Sequence, residues 1–64
     1  MVDLFINKLN VLIICDDIAN LVNYKKLFGS NYRTLRATST DEAAVILLNR
    51  DIHILVFDLD IDID

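Results

Sequence analysis

Two short apolar segments, each followed at once by aspartate, constrain the fold of this chain more than any other feature. Asn10–Cys15 precedes Asp16-Asp17, and Ile52–Phe57 precedes Asp58. Both segments are rich in branched residues, which is typical of strands buried on both faces of a parallel sheet. The sequence therefore predicts two buried strands that each end beside carboxylates.

The residues between these segments have the patterns of two helices. An amphipathic three-four spacing predicts a helix over about residues 17–28, with Gly29 as its C-terminal cap. Ser39 and Glu42 have the spacing of a capping box, which predicts the start of a second helix over about residues 40–50.

Three strands are predicted, at about residues 10–15, 32–37 and 52–57. The resulting order βαβαβ, with short joints, is typical of a parallel sheet with right-handed crossovers. The sequence therefore predicts one α/β unit over residues 1–64. If the first strand lies between the other two, giving strand order 2-1-3, the aspartates that follow the first and third strands meet at one edge.

Charge, hydropathy and cysteine content exclude several classes of protein. The chain has 6 Lys and Arg against 10 Asp and Glu, and its net charge of −4 argues against a nucleic-acid surface. The longest apolar stretch, Val11–Cys15, is too short for a membrane span or a signal-peptide core. A single cysteine is typical of a reducing compartment, so a cytoplasmic location and a small buried Cys15 are predicted.

Asp16, Asp17 and Asp58 are the candidate functional residues. Ligands of open parallel sheets bind beyond the carboxyl ends of the strands, where the strand order reverses. Three carboxylates there would repel one another, and Mg²⁺ accepts one or two carboxylates together with water and phosphate oxygens. A carboxylate beside Mg²⁺ can attack a phosphoryl group. The alternative is that Asp16-Asp17 supplies negative charge to a helix N-terminus and that Asp58 forms a turn.

These segments together resemble the receiver domains of two-component response regulators. Val11–Asp17 is similar to the first strand and acidic cluster of that family, and Tyr32–Leu48 to its second strand and second helix. Leu55–Leu59 resembles the third strand with its phospho-accepting aspartate. The resemblance covers nearly the whole chain after about Asn7, and it implies a flavodoxin-like sheet of the receiver type, here its N-terminal half.

The resemblance also implies a function in phosphorelay signal transduction. Asp58 would take a phosphoryl group from a histidine kinase or phosphotransfer protein. Mg²⁺ would be bound by Asp16, Asp17 and Asp58, with the backbone carbonyl of Asp60 as a further ligand. The chain would then be a phosphoacceptor rather than a turnover enzyme.

The chain departs from the receiver family at three places. In the preferred alignment Cys15 stands where the family usually carries its first acid, whereas a shift of one residue would restore the pair as Asp16-Asp17 but fits the helix less well. Asp62 stands where the family has a proline. The family's switch threonine or serine and its lysine lie further along than Asp64. The first alternative is therefore a degenerate or truncated receiver that acts as a protein-interaction module.

The third predicted strand is interior in the receiver strand order 2-1-3-4-5. In this chain Ile52–Phe57 would instead form an exposed apolar edge, which is a template for pairing with another chain. We therefore expect that the chain either self-associates through this strand or is a piece of a longer protein.

A phosphatase is the second alternative. Val56–Asp60 is similar to the first motif of haloacid-dehalogenase-like phosphatases, in which one Asp attacks phosphate and the next acts as general acid and base. Asp58 would again be the nucleophile, whereas Asp60 would contribute its side chain instead of its carbonyl. Ile61-Asp62 stands where Gly-Thr normally follows, and the motif usually belongs to a first strand.

Overall fold

A parallel sheet and two helices make up the fold in the computed structural model, which describes residues 8–58. The sheet has three strands in the order β2-β1-β3, so the predicted α/β class and 2-1-3 strand order are confirmed. Neither α-helix in this part of the chain has the length and apolar content to cross a membrane. The elements are β1 (Leu9–Ile14), α1 (Ile18–Phe28), a 3₁₀ turn (Gly29–Asn31), β2 (Tyr32–Ala37), α2 (Thr40–Asn49) and β3 (Ile54–Phe57).

β1 is the central strand and is buried on both faces. Leu12 and Ile14 lie on the face covered by α2, whereas Val11, Ile13 and Cys15 lie on the face covered by α1. Successive side chains of a strand point to opposite faces, so an unbroken apolar run requires a helix on each side of the sheet. The prediction that the first apolar segment is a buried strand is confirmed from Val11 onward, whereas Asn10 is only partly buried.

Helix α1 is capped at both ends, by the Asp17 side chain and by the Gly29 backbone. At the N-terminus, Asp17 Oδ1 accepts hydrogen bonds from the N–H groups of Ala19 at 2.8 Å and Asn20 at 3.3 Å, which are donors without a partner inside the helix. At the C-terminus, Gly29 adopts φ 67°, a left-handed conformation that favours glycine. The predicted glycine cap is confirmed, and Asp17 is the N-cap instead of the first helical residue.

Helix α2 begins with the predicted capping box in a modified form. Ser39 Oγ accepts a hydrogen bond from the Glu42 N–H at 3.2 Å. Glu42 Oε1 accepts from the N–H and the hydroxyl of Thr38, at 2.6 and 3.1 Å. In the standard box it would accept from the N–H of the N-cap residue, here Ser39. The bond from the Thr38 backbone is the largest cause of a lowered pKa for the Glu42 carboxyl.

Glu42→Gln is expected to destabilise the fold at neutral pH and to lose this effect in acid. Because the pKa of the folded carboxyl lies below its ordinary value of 4.5, its stabilising contribution is present above that value and is lost as the pH falls through the folded pKa. Thermal unfolding of wild type and variant from neutral pH down to about pH 3 measures the difference. The control is Asp51→Asn, the same kind of change at an exposed residue. A difference in thermal stability between wild type and Glu42→Gln that stays constant with pH would contradict the role of Glu42.

β3 is shorter and less buried than the predicted strand over residues 52–57. The strand begins only after His53, whose N–H donates to the Asn10 carbonyl and whose Nδ1 accepts from the Asn10 N–H, both at 3.0 Å. Leu55 and Phe57, on the α2 face, are 50% and 37% exposed. The bounds of the other elements agree with the prediction to within one residue.

Candidate functional site

Asp58 lies at the carboxyl end of β3, beside the carboxyl end of β1. Its N–H donates to the Ile14 carbonyl at 3.0 Å, so the ladder between the two strands continues to this residue. The side chain lies on the α1 face of the sheet, and the residue is only 3% exposed. β1 and β3 are the strands between which the strand order reverses, so the predicted meeting point of the two carboxyl ends is where Asp58 is found.

Two neutral side chains contact the same oxygen of the Asp58 carboxylate. Cys15 Sγ and Asn20 Nδ2 each lie 3.2 Å from Asp58 Oδ2. The same Sγ lies 3.2 Å from the Asp17 carbonyl oxygen, so the thiol proton has two acceptors. A buried carboxylate is costly without such partners, and these contacts compensate for part of the burial.

Cys15 is buried as predicted and acts as a hydrogen-bond donor. Burial is the largest cause of a raised pKa for its thiol, and the neighbouring Asp58 raises that pKa further above the ordinary value of 9.0. The thiol is therefore protonated at neutral pH. A buried, protonated thiol is chemically inert compared with a thiolate, so its contribution here is to donate toward Asp58.

Arg36 contacts the same edge of the sheet from β2. Its Nε donates to the Cys15 carbonyl at 3.1 Å. The Cys15 N–H donates to the Ala37 carbonyl at 2.9 Å, so both backbone groups of Cys15 are bonded to β2. The guanidinium of Arg36 is therefore held across the carboxyl end of β1.

The sequence patterns did not single out Arg36 or Asn20. Two signals were available: a cation at the end of a predicted strand, and an amide in the first turn of a predicted helix that follows two aspartates. Neither signal is specific without the structure, because many strands end in a cation and many helices carry an amide.

The three other predicted ligands have different environments. Asp17 uses its Oδ1 as the N-cap of α1, so the alternative that Asp16-Asp17 serves a helix N-terminus is confirmed for Asp17. Asp16 lies exposed in the turn between β1 and α1. Asp60, predicted to offer its carbonyl, lies outside the described residues.

The predicted binding of Mg²⁺ at this edge stays a prediction. Over residues 8–58, no three His, Cys, Asp or Glu side chains are grouped so as to hold a metal ion. Mg²⁺ in proteins commonly takes one or two carboxylates and keeps several waters, which Asp16 and Asp58 suit chemically. The protonated thiol of Cys15 is not a ligand for a hard cation, and the ligand roles of Asp16, Asp17, Asp58 and Asp60 stay predictions.

Comparison with known proteins finds no family model, no curated protein and no solved structure that matches this chain.

Proposed function

We propose that this chain is a phosphoacceptor of the response-regulator receiver type and that Asp58 accepts the phosphoryl group. The observation that carries the proposal is the placement of Asp58, a buried carboxylate at the carboxyl edge of a parallel sheet, where the strand order reverses. The order and spacing of the receiver-like segments support the same function. On this proposal the three strands are the first half of a flavodoxin-like sheet, and the protein works in the cytoplasm.

The proposed reaction transfers a phosphoryl group to a carboxylate oxygen of Asp58. A bond forms between that oxygen and phosphorus, while the bond from phosphorus to a histidine nitrogen of a kinase or phosphotransfer protein breaks. Such transfers depend mainly on positioning and on neutralising the charge of the transferring oxygens. Mg²⁺ held by Asp16 and Asp58 would supply that neutralising charge.

Asp58→Asn is expected to abolish phosphorylation. Wild-type chain incubated with acetyl phosphate and Mg²⁺ should gain the mass of one phosphoryl group, because a small acyl phosphate can replace the phosphohistidine donor. The amide of the variant has no carboxylate oxygen to attack phosphorus. Intact-mass spectrometry measures the gain.

The matched control for this experiment is Asp51→Asn, which makes the same change at an exposed residue outside the site. Asp51→Asn should label like wild type. Equal labelling of Asp58→Asn and wild type would show that another residue is the acceptor. A folded wild-type chain that gains no phosphoryl group would refute the proposed function.

A second candidate is a receiver-like interaction module without phosphoryl chemistry. The contact between Cys15 Sγ and Asp58 Oδ2 favours it, because a thiol replaces the first acid of the receiver-like motif and joins β1 to β3. In this case Asp58 serves to hold the strands together. The nearly isosteric Asp58→Asn would then change the free energy of unfolding and leave the phosphoryl content at zero in both proteins.

A further inference from the structure

We propose that the Cys15 thiol and the Asn20 amide are positioning residues that fix the orientation in which the Asp58 carboxylate meets a phosphoryl donor. This inference rests on the proposed role of Asp58 as phosphoacceptor. Neither side chain exchanges a bond with phosphorus; both act through the carboxylate.

Donors from two different elements converge on one oxygen. Cys15 lies at the end of β1 and Asn20 in the first turn of α1, and each has a donor atom 3.2 Å from Asp58 Oδ2. The final torsion of an aspartate side chain is broad when nothing holds it. Rotation of the Asp58 carboxylate would move Oδ2 away from both donors, so the two contacts together restrict that torsion.

Both donor residues are themselves held in place by hydrogen bonds of their own backbone groups. The Cys15 N–H donates to the Ala37 carbonyl at 2.9 Å, and the Cys15 carbonyl accepts from Arg36 Nε at 3.1 Å. The Asn20 N–H donates to Asp17 Oδ1, the cap of α1. A positioning residue is effective only when its own place is fixed by such a supporting layer.

A fixed carboxylate presents the same oxygen to each incoming donor. This raises the fraction of encounters in which the attacking oxygen and phosphorus are aligned. Two neutral donors also add no negative charge beside the acceptor, whereas an acid in place of Cys15 would add one. The expected consequence is a faster phosphorylation step, with little change in the binding of a small donor.

Asn20→Ala is expected to slow phosphorylation by acetyl phosphate about tenfold, the scale of one lost hydrogen bond to a charged group. The exposed Asn23→Ala, the same substitution in the same helix, is the matched control and should label at the wild-type rate. Labelling rate constants over a range of acetyl phosphate concentrations should show a lower maximal value, with the half-saturating concentration unchanged. Equal rate constants for Asn20→Ala and Asn23→Ala, or a change in the half-saturating concentration alone, would overturn the inference.

Cys15 is tested by a pair of variants and by a spectroscopic signal. Cys15→Ala should slow labelling, and Cys15→Ser, which keeps a donor, should recover part of the rate. In the infrared spectrum, the S–H stretch of wild type should lie at a lower frequency than that of Asp58→Asn, because a carboxylate is the stronger acceptor. An S–H band that is the same in both proteins would overturn the role of Cys15, even if both Cys15 variants fail to fold.

The two proposals fail in different ways. If wild type is not phosphorylated, the proposed function fails and the positioning role fails with it. If wild type is phosphorylated on Asp58 while Asn20→Ala keeps the full rate and the S–H band does not move, only the positioning inference is wrong.

Discussion

Leu12→Ala is expected to remove a large part of the free energy of unfolding, so that many of the molecules are unfolded. Leu12 is 0% exposed in the central strand, and its side chain belongs to the core between the sheet and α2, with Ala43 and Leu35. Replacing a core leucine with alanine costs about 2–5 kcal/mol. At about 0.05–0.15 kcal/mol per residue, a chain of this length has roughly 3–10 kcal/mol of total stability, so the loss is a large part of the whole.

Urea unfolding followed by far-ultraviolet circular dichroism gives the free energy of unfolding of each protein. The matched control is Leu48→Ala, the same substitution at a residue of α2 that is 86% exposed. That control should remain within about 0.5 kcal/mol of wild type. Similar losses for the two variants would contradict the central position of β1.

The position of the candidate site was predictable, because it depends only on where the apolar segments end. Asp16 and Asp58 each follow an apolar strand, and any parallel sheet with β1 in the middle brings the ends of those strands to one edge. The contacts of Asp58 with Cys15 and Asn20 were not predictable. They depend on side-chain torsions and on how α1 packs over the sheet, and neither quantity is encoded in the spacing of apolar residues.

The burial of α1 shows a second feature that the sequence did not predict in full. The three-four spacing that predicts α1 includes the apolar stripe Ile18, Leu21, Val22, Tyr24 and Phe28. Leu21, Tyr24 and Phe28 pack on the sheet, whereas Ile18 and Val22 are exposed. Periodicity shows which residues share a helix face, but it does not show how wide the opposing surface is. A sheet of three strands covers only part of this stripe.

The sequence led to two predictions for the third strand. Its apolar run was predicted to be buried like that of β1, whereas the strand order 2-1-3 predicted an exposed apolar edge, and in the structure β3 lies at an edge. Ile54 and Val56 pack on the α1 face, whereas Leu55 and Phe57 are partly exposed on the other face. An apolar run in the sequence therefore predicted a strand correctly without predicting what covers it.

The 64-residue chain is expected to self-associate through the outer edge of β3. In the part of the chain that the structure describes, β3 pairs with β1 and no strand lies on its other side. That edge offers backbone N–H and C=O groups beside the exposed side chains of Leu55 and Phe57. Natural proteins usually block such edges with charged residues, but Asp51 and Asp58 flank the run without interrupting it.

Leu55→Lys is expected to prevent this association, because a lysine on an edge strand must lose its hydration when a second strand pairs there. The matched control is Leu48→Lys, which makes the same change on α2, a helix that packs against β2 and β1. Sedimentation velocity across the micromolar range should show larger species for wild type and for Leu48→Lys as concentration rises. Leu55→Lys should remain monomeric.

A wild-type chain that stays monomeric, with amides in Ile54–Phe57 that exchange slowly with solvent, would contradict this expectation. Slow exchange requires that an amide be hydrogen-bonded or removed from water in a stable part of the fold. In β3, alternate N–H groups of a strand face away from β1, so protection of those groups in a monomer would require cover from within the same chain. The N–H groups of Val56 and Asp58 point toward β1. The exchange rates of the Leu55 and Phe57 N–H groups therefore decide whether the outer edge of β3 is covered in the monomer.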